Sequence, residues 1–298
     1  MGKYRLQQVG SETYYIPAPV NIGVIRRGDR AYIIDSGNDS DSGRKIRQLL
    51  DGNEWRLEMI CNTHSNADHI GGNHYLQRIT GCRIGATPKE SPFITFPELE
   101  PAFLWGGFAH RDITGKFLRA EASEVTDTLH PGSFLEEAGL EILDLPGHFH
   151  QMAGFLSSDR ICFLADALFP RDILDKYHIC FIYDVNGFLK TLDMLEGIDA
   201  ELFIPSHCRA ADEISGLIRS NRDSVLTVCD AVLEICRKPR TLEEILTELF
   251  RYFSITMSHA QYVLVGSTIR SYVSYLAGEG TLESVVDADA IHWRTAEF

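Results

Sequence analysis

This chain reads as an α/β fold followed by a smaller helical segment, and three observations carry that reading. Between about residues 12 and 210, short β-rich apolar runs recur, each ending in turn residues or a histidine and separated by helical or loop stretches. After about residue 214 the apolar spacing changes to the three-and-four pattern of amphipathic helices. At 298 residues with 44% hydrophobic content, the chain can pack one large α/β domain, or one of about 200 residues with a smaller one attached.

In order, the runs are NIGVIRR, AYIIDSG, EMICNTH, CRIGAT, LEILDLPGH, ICFLADALF and ELFIPSH. Their branched apolar residues and their Gly, Pro, Asp or Ser ends mark strands. Residues 96–120, FPELEPAFLWGGFAHRDITGKFLRA, break the series: aromatics at Phe93, Phe96, Phe103, Trp105 and Phe108 cluster around glycines and prolines. This stretch is too irregular for a helix or a strand. It reads as a long loop that walls a pocket, forms a subunit contact in a homo-oligomer, or packs on its own core. Beyond it, ISGLIRSNRDSVLTVCDAVLEIC and TLEEILTELFRYF are helical, the second opened by Thr241 and Glu244 at capping-box spacing. The last stretch, HAQYVLVGSTIRSYVSYLAGEGTLESVVDADAIHWRTA, reads as a helix, a Gly-containing turn and two short strands. Three helices and a hairpin look like a winged helix. The chain therefore divides into residues 1–214 and 215–298, with no internal repeat and no low-complexity linker.

Composition narrows the function. With 42 acidic against 28 basic side chains the formal charge is −14, which disfavours phosphate backbones and anionic membranes. The start, MGKYRLQQVG, lacks the plan of a signal peptide, and no apolar run approaches the roughly 18 residues of a membrane span. A cytoplasmic protein is expected, with a small-molecule substrate and neither nucleic acid nor membrane as partner. Seven cysteines without a CxxC pair point to buried thiols, not to a disulfide framework or a thiolate zinc knuckle.

The histidines give the chemistry. His64, Asp68 and His69 lie within CNTHSNADHIGGN after one strand, His148 follows LEILDLPG, Asp166 ends ICFLA, and His207 ends ELFIPS. Each stands where a strand gives way to a loop, so all six converge on one edge of a sheet. Imidazole plus carboxylate suits zinc, iron or manganese. HxxxDH alone is weak, but the GH, AD and SH at later strand ends make a constellation. His74, His110, His130, His259 and His292 read as surface or satisfied core residues. His150, two after His148, and His178, beyond Asp166, are candidates for substrate contact, as are Trp105 and Lys116 of the aromatic stretch.

With these positions, residues 12–210 resemble the metallo-β-lactamase fold superfamily of metal-dependent hydrolases. The resemblance implies a four-layer αββα sandwich carrying one or two metal ions, zinc first, with iron or manganese as alternatives. It assigns one ion to His64, His148 and whatever position 66 offers, the other to Asp68, His69 and His207, with Asp166 bridging. The C-terminal segment is similar to a winged-helix-like module found on several such hydrolases. Asn66 departs from the family's HxHxDH pattern. A neutral amide oxygen is a poorer zinc donor than imidazole, so the first position should be weaker, and Asn66 is either a weak ligand or a residue that hydrogen-bonds one. The related flavodiiron oxygen reductases carry an oxygen ligand, Glu, at this place.

A bound metal lowers the pKa of water toward neutrality and polarises the oxygen under attack. Hydrolysis of a small ester, lactone, thioester or phosphodiester by a metal-bound hydroxide is therefore expected, with Asp68 orienting the water or taking its proton. No GxSxG elbow offers a covalent route. The alternatives are an iron-dependent redox enzyme acting on oxygen or a persulfide, and a non-catalytic metal-binding sensor. A DNA-reading sensor would need a basic recognition helix, which the acidic or near-neutral C-terminal helices do not offer.

Overall fold

The computed structural model describes residues 4–287 and 289–296. Met1–Lys3, at the head of the N-terminal stretch read above, Ala288, within the C-terminal stretch read above as two short strands, and Glu297–Phe298, which follow that stretch, lie outside them.

The first sheet takes its strands in chain order: β1 (Gln7–Gln8), β2 (Thr13–Ile16), β3 (Ile22–Arg27), β4 (Arg30–Ile34), β5 (Arg56–Cys61), β6 (Arg83–Ala86) and β7 (Asp127–Thr128). Pairing is antiparallel up to β4 and parallel from β4 to β7. The second sheet contains β8 (Phe134–Leu135), β9 (Leu140–Asp144), β10 (Ala153–Ser157), β11 (Ile161–Ala165) and β12 (Leu202–Pro205), in the order β12-β11-β10-β9-β8. Here β11 and β12 are parallel and the other pairs antiparallel.

The two sheets face each other. Ile25, Tyr32 and Met59 of the first meet Ile142, Phe155 and Phe163 of the second. Outside the first sheet, Ile33, Ile60 and Ile84 pack under α1 (Ser40–Gly52) and α3 (Asn73–Thr80), which follows the short α2 (Ala67–Ile70). Outside the second, Cys162 and Leu164 pack under α7 (Val185–Leu195), preceded by α6 (Arg171–Tyr177), and under α8 (Ser215–Ile235). These are the four layers, helix, sheet, sheet, helix. They explain why ICFLA is apolar throughout: Ile161 and Phe163 face the other sheet while Cys162 and Leu164 face helices. Each fully buried side chain of this kind contributes roughly 1.5–3 kcal/mol.

Residues 96–120 differ from the irregular loop expected. After α4 (Ser91–Thr95) the chain forms α5 (Leu99–Trp105) and a 3-10 turn at Arg111–Ile113. Pro101 falls in the first helical turn, where no backbone N–H is needed, and Gly106 at φ +77° stops the helix. Leu104, Ile113 and Leu118 then pack on Val263. The C-terminal stretch forms α8, α9 (Leu242–Tyr252), α10 (His259–Gly278) and an antiparallel hairpin of β13 (Leu282–Val286) and β14 (Ile291–Thr295). The Thr241–Glu244 capping box is formed. Leu249, Ile269 and Tyr272 of α9 and α10 join the cluster under the second sheet. All seven cysteines are free thiols, five of them buried.

Candidate metal centre

The carboxyl ends of β4, β5, β6, β9, β11 and β12 supply the loops of this site. After β5 the chain runs through His64 and Asn66 into α2, whose single turn presents Asp68 and His69. Gly71 lets that turn lie against the α1 loop, since a Cβ there would fall 2.2 Å from the Asn38 carbonyl carbon. Gly147, at φ +126°, has the Phe188 backbone 2.3 Å from where a Cβ would stand. Only glycine fits, and the tight approach aims His148 inward. Asp166 follows Ala165, which is held at φ +50°, and Asp35 just beyond β4 is held at +61°. Such left-handed non-glycine residues cost free energy and cluster at functional sites.

The six predicted side chains come together. His64, His148 and Asp166 form one group and Asp68, His69 and His207 another, with the ligand-capable atoms of each group within 4.8 Å of one another. Asp166 stands between the groups: its Oδ1 is 3.3 Å from His69 Nε2, and its Oδ2 is 3.3 Å from His207 Nε2 and 3.6 Å from His148 Nε2. Asp68 approaches from the open side, 3.5 Å from His207 Nε2. The first group is buried, whereas the Asp68 and His207 side chains are 38% and 27% exposed.

Each ring is fixed by its outer nitrogen. His69 Nδ1 donates to Asp35 Oδ2 at 2.8 Å, His148 Nδ1 to the Phe181 carbonyl at 3.0 Å, and His207 Nδ1 to the Pro19 carbonyl at 2.8 Å. The Thr63 hydroxyl donates to Asp35 at 2.7 Å, so its oxygen receives His64 Nδ1–H at 2.9 Å. With every Nδ1 a donor, every Nε2 directs a lone pair inward once its ring is neutral. His64 Nε2, His69 Nε2 and Asp166 Oδ1 are buried there without a hydrogen-bond partner. Orphaned acceptors around one carboxylate are the donor set a divalent cation satisfies, and the residues fit one.

Electrostatics agree. Burial lowers His64 and His148, His64 well below the usual imidazole value, which keeps both neutral. For His69 burial is the largest influence and pulls downward, but the Asp166 and Asp35 carboxylates outweigh it and raise the ring well above the usual value. His207 is raised to about 9 by Asp166 and Asp68 against burial. Asp166 is held well below the usual carboxylate range by His207 and His69, again against burial. Without metal, protons on imidazoles supply the positive charge this carboxylate demands.

Asn66 sits at the edge of the first group. Its Oδ1 is 3.0 Å from His148 Nε2 and its Nδ2 donates to Glu100 Oε1 at 2.8 Å. Glu100 is buried, which raises its carboxyl well above the ordinary range. Glu90, pushed up to about 7 by burial, accepts from the Ser65 N–H and hydroxyl and from the Gln151 N–H, tying the loop of His64 to that of His148.

None of the residues expected to contact substrate belongs to either ligand group. His150 lies two residues from His148 in a box of Phe93, Phe103, Phe149 and Tyr183, its Nε2 buried without a partner. His178 stacks on Phe253, just after α9. Trp105 meets His110 and, on α10, Tyr262. Lys116 lines a separate cleft with Asp39, Asp41, Glu98 and Glu121. The cleft beside His207, about 440 Å³, is instead lined by Tyr15, Pro17, Ala18, Asn21, Cys208 and Arg209.

Sequence reasoning did not single out Asp35, Thr63, Glu90 or Glu100. For Asp35 a signal existed: IIDSG places a carboxylate at a strand end, as with Asp166. Glu90 and Glu100 carry no such mark.

A family model described as the metallo-beta-lactamase superfamily matches residues 15–207. Among curated proteins, a hydroxyacylglutathione hydrolase of Methylococcus capsulatus is 30% identical over 125 residues, 42% of this chain and 39% of that enzyme. The match thus spans well under half of that relative. A beta-lactamase domain protein from Burkholderia ambifaria superposes with a TM-score of 0.77 at 19% identity, covering 98% of this chain and 93% of the other. A metallo-beta-lactamase family protein from Thermus thermophilus gives 0.72 at 18% identity, covering 99% of both. At such identities the likeness concerns the fold.

Proposed function

The chain belongs to the metallo-β-lactamase superfamily, and on that premise we propose that it is a metal-dependent hydrolase of a small ester, lactone, thioester or phosphodiester. The observation that carries this reading is the ring of four imidazoles whose outer nitrogens are all engaged and whose inner nitrogens surround Asp166. One or two divalent ions held there, zinc first, would supply a hydroxide nucleophile at neutral pH and polarise the oxygen under attack.

The protein's own groups do the rest. His64 and His148, with Asp166, frame an inner position; Asp68, His69 and His207 frame an outer one. Asp68 is the carboxylate on the open side and is the group to orient water and receive its proton. Arg209 brings a cation to the adjoining cleft, where it can meet an anionic substrate group. The name of the Methylococcus relative makes an acyl–glutathione conjugate the first substrate to assay.

Residues 215–298 we read as a winged-helix-like extension that shares its core with the second sheet, serving a cytoplasmic enzyme that contacts neither DNA nor membrane. Among the described residues no helix is long and apolar enough to cross a membrane. The test is elemental analysis of the purified protein together with turnover of the four substrate classes before and after chelation. Chelator-sensitive turnover restored by zinc is expected, and a protein that takes up no metal and turns over none of them refutes the reading. The Asn66 oxygen facing the inner position favours one second reading, an iron enzyme of redox chemistry. Iron in the elemental analysis with a visible absorption spectrum would identify it.

A further inference from the structure

We propose that Glu100 is a positioning residue that holds the Asn66 amide with its oxygen toward His64, His148 and Asp166, making that oxygen the fourth protein ligand of the inner position. The inference rests on the metal-dependent reading above and deepens it.

An amide has two ends, and which one faces a cation decides whether it is a ligand or an obstacle. In this structure Nδ2 donates to Glu100 Oε1 at 2.8 Å, and Oδ1 lies 3.0 Å from His148 Nε2. His148 donates through Nδ1 to the Phe181 carbonyl, so its Nε2 carries a lone pair. Two acceptors facing each other at 3.0 Å, one on a buried ring and one on a half-buried amide, repel unless a cation lies within reach of both. Turning the amide over would give His148 a donor, but it would break the bond that Glu100 Oε1 accepts and set an N–H where a cation must sit. Glu100 therefore selects the ligating orientation.

The selection matters because an amide oxygen is a weaker donor than imidazole, and its binding suffers further if the amide must first be ordered. Glu100, 5% exposed, reaches it from α5, 34 residues along the chain. The backbone beside Asn66 is fixed independently: Glu90 accepts from the Ser65 N–H at 3.0 Å and its hydroxyl at 2.6 Å. Loss of the Glu100 carboxyl should therefore free the amide without freeing the loop.

The test is Co2+ titration of the metal-free chain, followed by d–d absorption, with His207→Ala marking the outer step. Glu100→Met roughly keeps the volume and removes the acceptor. It should weaken the inner step by about 10- to 100-fold, the usual cost of losing a group that orients a ligand, and leave the outer step unchanged. Glu100→Gln should restore the inner step, because its amide oxygen accepts the same bond. Asn66→Leu should lose the same step, and the double variant should lose nothing further. The inference is overturned if Glu100→Met weakens both steps alike or adds its full loss to that of Asn66→Leu. Two Co2+ steps indifferent to Glu100→Met sink this inference alone, whereas a protein that takes up no Co2+ sinks the hydrolase reading with it.

Discussion

Asp35→Asn isolates the support beneath the histidines. The carboxylate is 1% exposed and accepts from the Thr63 N–H at 2.8 Å, the Thr63 hydroxyl at 2.7 Å and His69 Nδ1 at 2.8 Å. Its hold on His69 is direct, while its hold on His64 is relayed through Thr63. An asparagine of the same shape must put its NH2 either on the Thr63 N–H or on the Thr63 hydroxyl and His69 N–H. Both choices set donor against donor, and both remove the negative charge behind His69. One charge-assisted hydrogen bond contributes roughly 1.5–3 kcal/mol, which at about 1.4 kcal/mol per decade is about 10- to 100-fold in affinity. The outer position should lose that much zinc affinity and the inner position less. The assay is zinc competition against a chromophoric chelator, alongside thermal unfolding of the metal-free proteins. If the variant binds zinc at the outer position as tightly as the wild type, packing alone orients His69 and the reasoning fails.

The inner position has two imidazoles, a shared carboxylate and an amide, so equilibrium competition with chelator should empty it before the outer one. Asn66→His should raise retained zinc toward two ions, and two equally tight ions in the wild type would contradict this ranking. His69 is raised and His207 is raised to about 9, so both carry protons at pH 7 in the metal-free protein and must release them to bind. With its folded value above the usual 6.5, protonated His207 stabilises the metal-free fold fully below about pH 6.5, and that contribution is lost as pH rises through about 9. Zinc affinity should climb over the same interval, and calorimetric heats that do not vary with buffer protonation enthalpy would exclude the proton release. A charge of −14 and the row Glu243, Glu244 and Glu248 on α9 predict no binding of the full chain to duplex DNA. Tight binding that weakens with salt would overturn this.

What was legible in the sequence depended on whether a residue's role shows in its neighbours along the chain. The six imidazole and carboxylate positions stand out because a polar residue ending an apolar strand has few structural reasons to be there. Strands as continuous as ICFLA and the Thr241–Glu244 cap are local patterns and were readable for the same reason. Glu90 and Glu100 act through bonds to residues 25 and 34 positions away, and a carboxylate in KESP or ELEP looks like any helix-start acid. α5 was hidden because its Pro and flanking glycines, read as breakers, occupy the first turn and the stop. Trp105 and Lys116 were grouped with the site by sequence proximity to an aromatic stretch, but that stretch packs on α10, which only the tertiary fold brings near.

Burial separates the two positions more sharply than ligand type does. His64, His148 and Asp166 are all at or below 5% exposure, whereas the Asp68 and His207 side chains are 38% and 27% exposed and His207 lines the cleft that holds Arg209. A substrate can reach only the outer side directly, so the carbonyl or phosphoryl group must be presented across Asp68 and His207. Charge is distributed accordingly: Asp35 and Asp68 flank the outer imidazoles, while the inner ones rest on neutral acceptors, the Thr63 hydroxyl and the Phe181 carbonyl. An outer ion would thus be held by Asp68, His69 and His207 on the side that faces the reaction. An inner ion would be held by His64, His148 and Asp166, away from the open side, so its loss should lower turnover while leaving substrate access unchanged. Steady-state kinetics on the selectively inner-depleted protein would then show a fall in kcat at constant KM, and a rise in KM instead would place the inner ion in direct contact with substrate.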